Sequence, residues 1–427
     1  MNAIDLLISG EYRDPESGEL LSVPTRSVVI ADHLRGDEAE LVRALGLGQT
    51  LAVVSDAATH DVMGGRVEQA LASVAKVIPL RLDRLPHPDL ETVEGLRVAG
   101  SRADAWIAVG SGTINDLCKY TSAQDNKPYA VFGTAPSMNG FTSVNAAMSV
   151  NGLKRSLAAA APVGVFLDLE VLAGAPPRMI RSGLGDSLCR PTAQTDWLLA
   201  HHLLDEPYRE VPFTLLAEDE PALFAESDAL VRGDLAAMKR LARTLVLSGF
   251  GMTLCGGSYP ASQGEHLISH YIEMMTEGPP TTFHGEQIAV TTLTMARLHE
   301  RLLAGAPPTP RATRTTEADL VAHFGPDLGA VCWPELAAKR LDEAAAEKLS
   351  ARISERWDLL RERIAEVSRP VAELRAVLER AGAPVAPPEL DWTPAFYRTA
   401  VEHAREIRNR YTALDLAADA GVNLLST

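Results

Sequence analysis

Between about residue 31 and residue 178 the hydrophobic positions fall into short runs separated by segments of helical period. ELVRALG, VEQALASVA, LETVEGLRVAGSR and NDLCKYTSA space their apolar residues three and four apart, as one face of a helix does. TLAVVSD, KVIPLRL, ADAWIAVG, YAVFGT and VGVFLD are nearly continuous apolar runs, the pattern of strands buried on both faces. Strands alternating with helices in this way predict a parallel sheet wound with helices on both sides. Within this half, AAMSVNGLKRSLAA sets Asn151-Gly152 between two alternating runs and predicts a hairpin with a type I′ turn. Residues 1–30 read as a small extension, with a hairpin turned at Glu16 to Gly18. After AGAPPRMI the texture changes: from 179 to 427 long helical periods dominate and β-rich runs are few. A second, all-helical domain is expected there, with the charged stretch 334–381 as a solvated helical hairpin.

Length supports two domains, since 427 residues exceed one ordinary core. Charge narrows the partners. Lys plus Arg number 40 against 56 Asp plus Glu, a net charge of −16. That excess repels phosphate backbones and anionic lipid, so nucleic-acid and membrane-surface binding are not expected, and an anionic substrate would need a locally positive pocket. The cysteines, Cys118, Cys189, Cys255 and Cys332, form no CxxC pair and read as reduced thiols of a cytoplasmic protein. The first residues lack the basic and apolar blocks of a signal peptide, and no apolar run is long enough for a membrane span.

Two stretches carry candidate chemistry. The run DAWIAVG leads directly into GSGTINDLCKY, a strand followed by a glycine-rich turn that opens a helix. Gly110, Ser111, Gly112 and Thr113 would bring backbone N–H groups and a helix dipole up to a diphosphate; a tight turn without a ligand has the same pattern. This makes the first domain a candidate Rossmann-like dinucleotide-binding domain, with ligands at the carboxyl ends of its strands. Asp56, at the end of LAVVSD, would take ribose hydroxyls and repel the extra phosphate of NADP, which favours NAD.

The other stretch is SQGEHLISHYIEMMTEGPPTTFHGEQ. HLISHYIEMM reads as helix, so His266 and His270 lie one turn apart on one face. TEGPP breaks that helix and His284 opens the next, 284 − 266 = 18 residues after the first imidazole. Imidazoles meeting a carboxylate such as Asp186, in RSGLGDSL, could hold a catalytic divalent metal with one position open. Each histidine alone is more often a helix cap or a packed polar residue than a ligand; three in one short stretch carry the reading.

Taken in order, GSGTINDLCKY, TAPSMNGFTS, GLGDSL, GEHLISHY, HGEQIAV and IRNRYTALDLA resemble the bacterial glycerol-1-phosphate dehydrogenases. More distantly they resemble the glycerol dehydrogenases and the wider iron-containing alcohol dehydrogenase and dehydroquinate synthase superfamily. The resemblance spans roughly residues 30 to 420. It implies the dehydroquinate synthase-like fold, a homo-oligomer, and Asp186, His266 and His284 as ligands of the catalytic metal. It places His270 in the same pocket, Asp116 behind the diphosphate turn, and Thr134 and Ser143 near the nicotinamide end of the cofactor. Two departures stand out. Asn139 replaces a substrate-facing aspartate, and Arg190, one turn after Asp186, occupies a position usually held by lysine, as a fixed cation directed at the pocket.

The resemblance implies a metal-dependent, NAD(P)-linked oxidoreductase interconverting dihydroxyacetone phosphate and sn-glycerol 1-phosphate. His270 would relay the alcohol proton and Arg190 would pair with the phosphate. Zn is the first expectation for the metal, and the same ligands admit Ni or Fe(II). Three alternatives stay open: an unphosphorylated polyol or alcohol as substrate, a dehydroquinate synthase-like cyclase, and a non-catalytic nucleotide binder. The cyclases generally place glutamate first among the metal ligands and surround the phosphate with more basic residues, and a decayed site has little reason to keep three ligands.

Overall fold

The computed structural model describes residues 2–425 apart from 84–85, 151–152, 277 and 279–280. Its strands, β1 to β10, are Tyr12–Arg13, Leu20–Leu21, Ser27–Ala31, Thr50–Asp56, Lys76–Leu82, Ala105–Gly110, Tyr129–Gly133, Asn145–Val150, Leu153–Ala158 and Gly164–Asp168. Six form one parallel sheet in the order β3-β10-β7-β6-β4-β5. Every residue of β6, β7 and β10 is buried, so both faces of the sheet centre are covered, and the apolar runs of the sequence are these strands. The edge strand β5 is covered less, with Lys76, Pro79 and Arg81 exposed and the rest half-buried.

The amino-terminal extension does more than form a hairpin. β1 and β2 pair antiparallel, Tyr12 opposite Leu21, as expected. β3 then joins the main sheet as its other edge, with Val28 beside Val165 and Ile30 beside Leu167. β8 and β9 pair from Asn145–Ala158 to Val150–Leu153, flanking the predicted Asn151-Gly152 turn, which itself lies outside the described residues. From β4 the chain winds outward to β5 and then returns to the other side of β4 as β6. The carboxyl ends of β4 and β6 therefore flank the point where the winding reverses, where such sheets take ligands.

By contact the chain forms two compact units. The first comprises Met1–Ser187, Glu210–Ser258 and Arg380–Ala383; the second comprises Leu188–Arg209, Tyr259–Glu379 and Pro384–Thr427. The helical texture after residue 179 thus serves both. Helix Leu235–Leu254 belongs to the first unit, where Thr142 Oγ1 donates to Val246 O at 2.7 Å. A Cβ at Gly249 would lie 2.1 Å from that hydroxyl, so the close approach needs glycine.

In the second unit, helices Arg190–Leu204, Gly264–Met275, His284–Ala304 and Glu343–Val367 share one apolar core through Leu199, Ile268, Leu298 and Trp357. Helix Glu343–Val367, from the stretch expected to be solvated, buries Leu349, Ile353, Trp357, Leu360 and Ile364 at helical spacing and leaves its charged faces to water. Among the described residues no helix is long and apolar enough to cross a membrane. All four cysteines are free thiols.

Candidate active site

In the first unit, β6 ends at Gly110 and helix Gly112–Asp125 begins immediately. A Cβ on Gly110 would sit 2.5 Å from Ile114 Cβ, so glycine is required because the helix folds back over the turn. Gly112 is less confined, its nearest neighbour being the flexible Met138 side chain at 3.3 Å. Ser111 occupies the N-cap yet does not cap the helix. Its hydroxyl is drawn to Ser137 Oγ and, at 3.3 Å, to Ala135 O. That diversion leaves the first turn of the helix without a side-chain acceptor, as an anion seat requires. Gly110→Ala is expected to cost about 1–3 kcal/mol through overpacking and to weaken cofactor binding, read by urea unfolding and by titration with NADH. Unchanged values in both would show that the turn has room to spare.

The neighbouring residues are largely committed to shaping this turn. Thr134 is buried, and its N–H donates to Gly110 O at 3.1 Å. Lys119, fully buried on the turn helix, donates to Gly140 O at 2.5 Å, Asn145 O at 3.0 Å and Ser143 Oγ at 3.1 Å, and pairs with Asp116 at 3.6 Å. Burial lowers its pKa, against the pull of Asp116. Asp116 also accepts from Ala147 N at 3.1 Å. Asp116 and Ser143 thus anchor a buried cation that fixes loop 140–145. Asp56 closes β4 as the cap of a short helix, its Oδ1 accepting from Thr59 N at 2.8 Å.

Asp186 lies on helix Pro177–Leu188, which is pressed against loop 136–139. A Cβ on Gly183 would fall 1.6 Å from Pro136 O, Ser182 Oγ donates to Ser137 O at 2.9 Å, and Asp186 Oδ2 accepts from Asn139 N at 2.8 Å. The carboxylate is 1% exposed. Asn139 Nδ2, also buried, has no hydrogen-bond partner among the described residues. A buried orphan donor is unfavourable unless something else accepts from it, and a bound ligand oxygen would do so.

In the second unit the helical spacing of His266 and His270 and the break before His284 bring three imidazoles together. Ring centroids are 5.9 Å apart for His266 and His270, 5.1 Å for His266 and His284, and 6.1 Å for His270 and His284. His266 Nδ1 meets Glu265 Oε1 at 2.9 Å, and His284 Nδ1 lies 4.0 Å from Glu273 Oε1. The Glu265 carboxylate on Nδ1 of His266 turns its Nε2 outward as the ligating nitrogen, as is usual in histidine metal sites; Glu273, at 4.0 Å, is beyond hydrogen-bond distance of His284 Nδ1. This donor set fits a divalent metal. Glu265 is fully buried and also accepts from Gln263 N at 2.7 Å. Burial alone would raise its carboxyl, but the hydrogen bond and charge of His266 bring it below the ordinary value. Cys189 Sγ stands within 4.8 Å of the donor atoms of Glu265 and His266.

Asp196 locks this arrangement. Fully buried, it accepts from Gly264 N at 3.0 Å, His299 Nε2 at 2.8 Å and Ala413 N at 2.9 Å. It thereby ties the start of the imidazole helix, the middle of helix His284–Ala304 and the start of helix Ala413–Asp419. Arg190 departs from expectation in one respect. Helix Pro177–Leu188 ends before it, so Arg190 opens a new helix rather than continuing the one that holds Asp186. Pro191 in that helix's first turn is the signal. Arg190 Nη1 donates to Gln194 Oε1 at 2.9 Å.

Lys119, Asp196, Glu265 and Glu273 did not emerge from the motifs. A lysine three residues after Asp116, and an acid immediately before a candidate ligand, were the available signals.

Residues 29–176 match the family described as iron-containing alcohol dehydrogenase. A protein of Thermococcus kodakarensis named glycerol-1-phosphate dehydrogenase (NAD(P)+) is 32% identical, over 66% of this chain and 79% of its own length. One of the same name from Geobacillus stearothermophilus is 29% identical, over 90% of this chain and 87% of its own. The crystal structure of glycerol dehydrogenase from Schizosaccharomyces pombe shares the fold, with a TM-score of 0.56 and 17% identity over 80% of this chain and 91% of that one. By its identity to these relatives and the share of their length it spans, the chain belongs to the glycerol-1-phosphate dehydrogenases of the iron-containing alcohol dehydrogenase family.

Proposed function

We propose that the protein is a metal-dependent, NAD(P)-linked oxidoreductase interconverting dihydroxyacetone phosphate and sn-glycerol 1-phosphate. The observation that carries this reading is the cluster of three imidazoles, one of them oriented by a carboxylate on Nδ1, in a chain of this family. Asp186, His266 and His284 would hold a divalent metal, with Zn first and Ni or Fe(II) admitted. When bound, such an ion supplies Lewis-acid polarisation of a substrate oxygen. His270 takes and returns the alcohol proton, for which a neutral imidazole is suited. Asn139 Nδ2 gives its unpaired N–H to a substrate oxygen. Arg190 pairs with the phosphate through a planar guanidinium.

The uncapped turn at Gly110 to Thr113 holds the diphosphate of the dinucleotide at the switch point of the sheet, and Asp56 at the neighbouring strand end takes ribose hydroxyls, which favours NAD over NADP. The same reading makes the protein a cytoplasmic homo-oligomer.

The test is NADH oxidation by the metal-reconstituted protein, with dihydroxyacetone phosphate and dihydroxyacetone given in parallel. Strong preference for the phosphorylated ketone, lost on chelation and restored by Zn, is expected. Turnover of dihydroxyacetone in preference would replace this substrate with an unphosphorylated polyol. Arg190→Ala should raise KM for the phosphorylated ketone by about 10-fold or more, the loss expected for a hydrogen bond to a charged group. An equal rise for both ketones would remove Arg190 from the phosphate.

A further inference from the structure

The stretch from Ile407 to Ala417 takes no part in the reaction proposed above, and most of it is committed to the fold. Asp415 meets Lys339 Nζ at 2.9 Å and Arg405 Nε at 3.4 Å, Thr412 caps the following helix, and Asn409 N donates to Glu335 Oε2 at 2.9 Å. Its two remaining arginines are different. Arg410 Cζ lies 4.6 Å over the ring of Tyr259, and Nη1 donates to Ser262 O, one turn before His266. Arg408 is partly buried and, among the described residues, has neither a hydrogen bond nor an ion pair.

Burial lowers the pKa of both guanidiniums. Arg410 is pushed down to about 10, by burial first and by the charge of Arg408, two residues away in the chain, next. A guanidinium carries five donors and no acceptor, and Arg408, still reached by water, has its donors unused by the protein among the described residues and open to an anion. The nearby Glu335 does not answer it within ion-pair distance, because its carboxylate is turned to Asn409 N. Tyr259 holds Arg410 by its ring face and is itself stacked on Trp197 at 5.9 Å, so the pair rests on a rigid wall.

We infer that Arg408 and Arg410 form a seat for the phosphate of the substrate, an inference that rests on the proposed reaction for the identity of the anion. A phosphate monoester offers three terminal oxygens in the planar, forked geometry that guanidinium donors match, and its charge relieves the repulsion between the two cations. The seat lies at the end of the helix where His266 begins, so it would fix the phosphorylated end of a short substrate relative to the imidazoles. Arg190 then serves a remaining phosphate oxygen.

The experiment uses the metal-loaded, full-length protein. Inorganic phosphate is titrated calorimetrically into the wild type, Arg408→Gln and Arg408→Lys, and initial rates are taken with dihydroxyacetone phosphate and dihydroxyacetone. Arg408→Gln is expected to weaken phosphate binding by about 10-fold or more, as for loss of a charge-assisted hydrogen bond. It should raise KM for the phosphorylated ketone by a similar factor beyond any change for the unphosphorylated one, and Arg408→Lys should recover part of both. Unaltered phosphate affinity and an unaltered KM ratio in Arg408→Gln would overturn the seat, even in an enzyme strictly specific for the phosphorylated ketone. Arg408-dependent phosphate binding in a protein that turns over only dihydroxyacetone would instead overturn the reaction and leave the anion seat standing.

Discussion

Asp196→Ala is expected to destabilise the second unit by about 3–5 kcal/mol, the range for removing one partner of a buried charged network. The carboxylate is 0% exposed and accepts from Gly264 N, His299 Nε2 and Ala413 N, so its loss strands three donors away from water. Asp196→Asn keeps the volume but presents an amide N–H₂ where two oxygens are needed, and should still cost about 1–3 kcal/mol for the unpaired donor that remains. Urea titration should show a lower midpoint with little change in slope. Metal affinity should fall as well, because Gly264 N is the first link holding the His266 helix in place. A midpoint equal to that of the wild type would mean that the three helices are held by packing alone.

Glu265 controls the second large effect. Its Oε1 lies 2.9 Å from His266 Nδ1, which sets the tautomer and the ring plane of a proposed ligand. Loss of such an orienting carboxylate typically costs 10–100-fold in metal affinity. Glu265→Gln retains an acceptor without the charge and is expected near about 10-fold, whereas Glu265→Leu, with no acceptor, should approach about 100-fold. Competition with a chromophoric chelator measures this directly. The metal-free melting temperature separates the orienting role from a structural one: a fall in melting temperature with unchanged metal affinity would assign Glu265 to the fold.

The sheet was legible in the sequence because its central strands are buried on both faces and have to read as unbroken apolar runs between turn residues. β4, β6, β7 and β10 meet that condition, and the edge strand β5 was still apolar enough to find. The imidazole cluster was legible for a local reason, since four-residue spacing on a helix fixes a shared face. What escaped depends on residues far apart in the chain. Lys119 looks like a solvated charge in NDLCKY, and only the oxygens of Gly140, Ser143 and Asn145 make its burial tolerable. Glu265 reads as an ordinary acid in the first turn of a helix, where the dipole favours it; the structure turns it toward the next side chain. Asp196 gives no local sign at all, because two of its three partners lie more than 100 residues away. The end of the helix at Leu188 is signalled by Pro191, which fits the first turn of a new helix better than the interior of a continuing one.

The order in which the two units use the chain has a consequence for how the protein is made. The first unit takes residues on both sides of Leu188–Arg209 and a further short piece at Arg380–Ala383, so no single cut in the sequence releases either unit whole. A ribosome delivers the glycine turn and the sheet long before helix Leu235–Leu254, whose Val246 carbonyl receives the Thr142 hydroxyl. The second unit waits longer still, because Asp196 cannot close on Ala413 N until the chain has been synthesised past that residue. Contacts of such sequence separation form slowly. Partly made chains therefore carry an unlocked imidazole helix, and this protein should depend on chaperones during synthesis more than a chain of equal length whose domains follow one another.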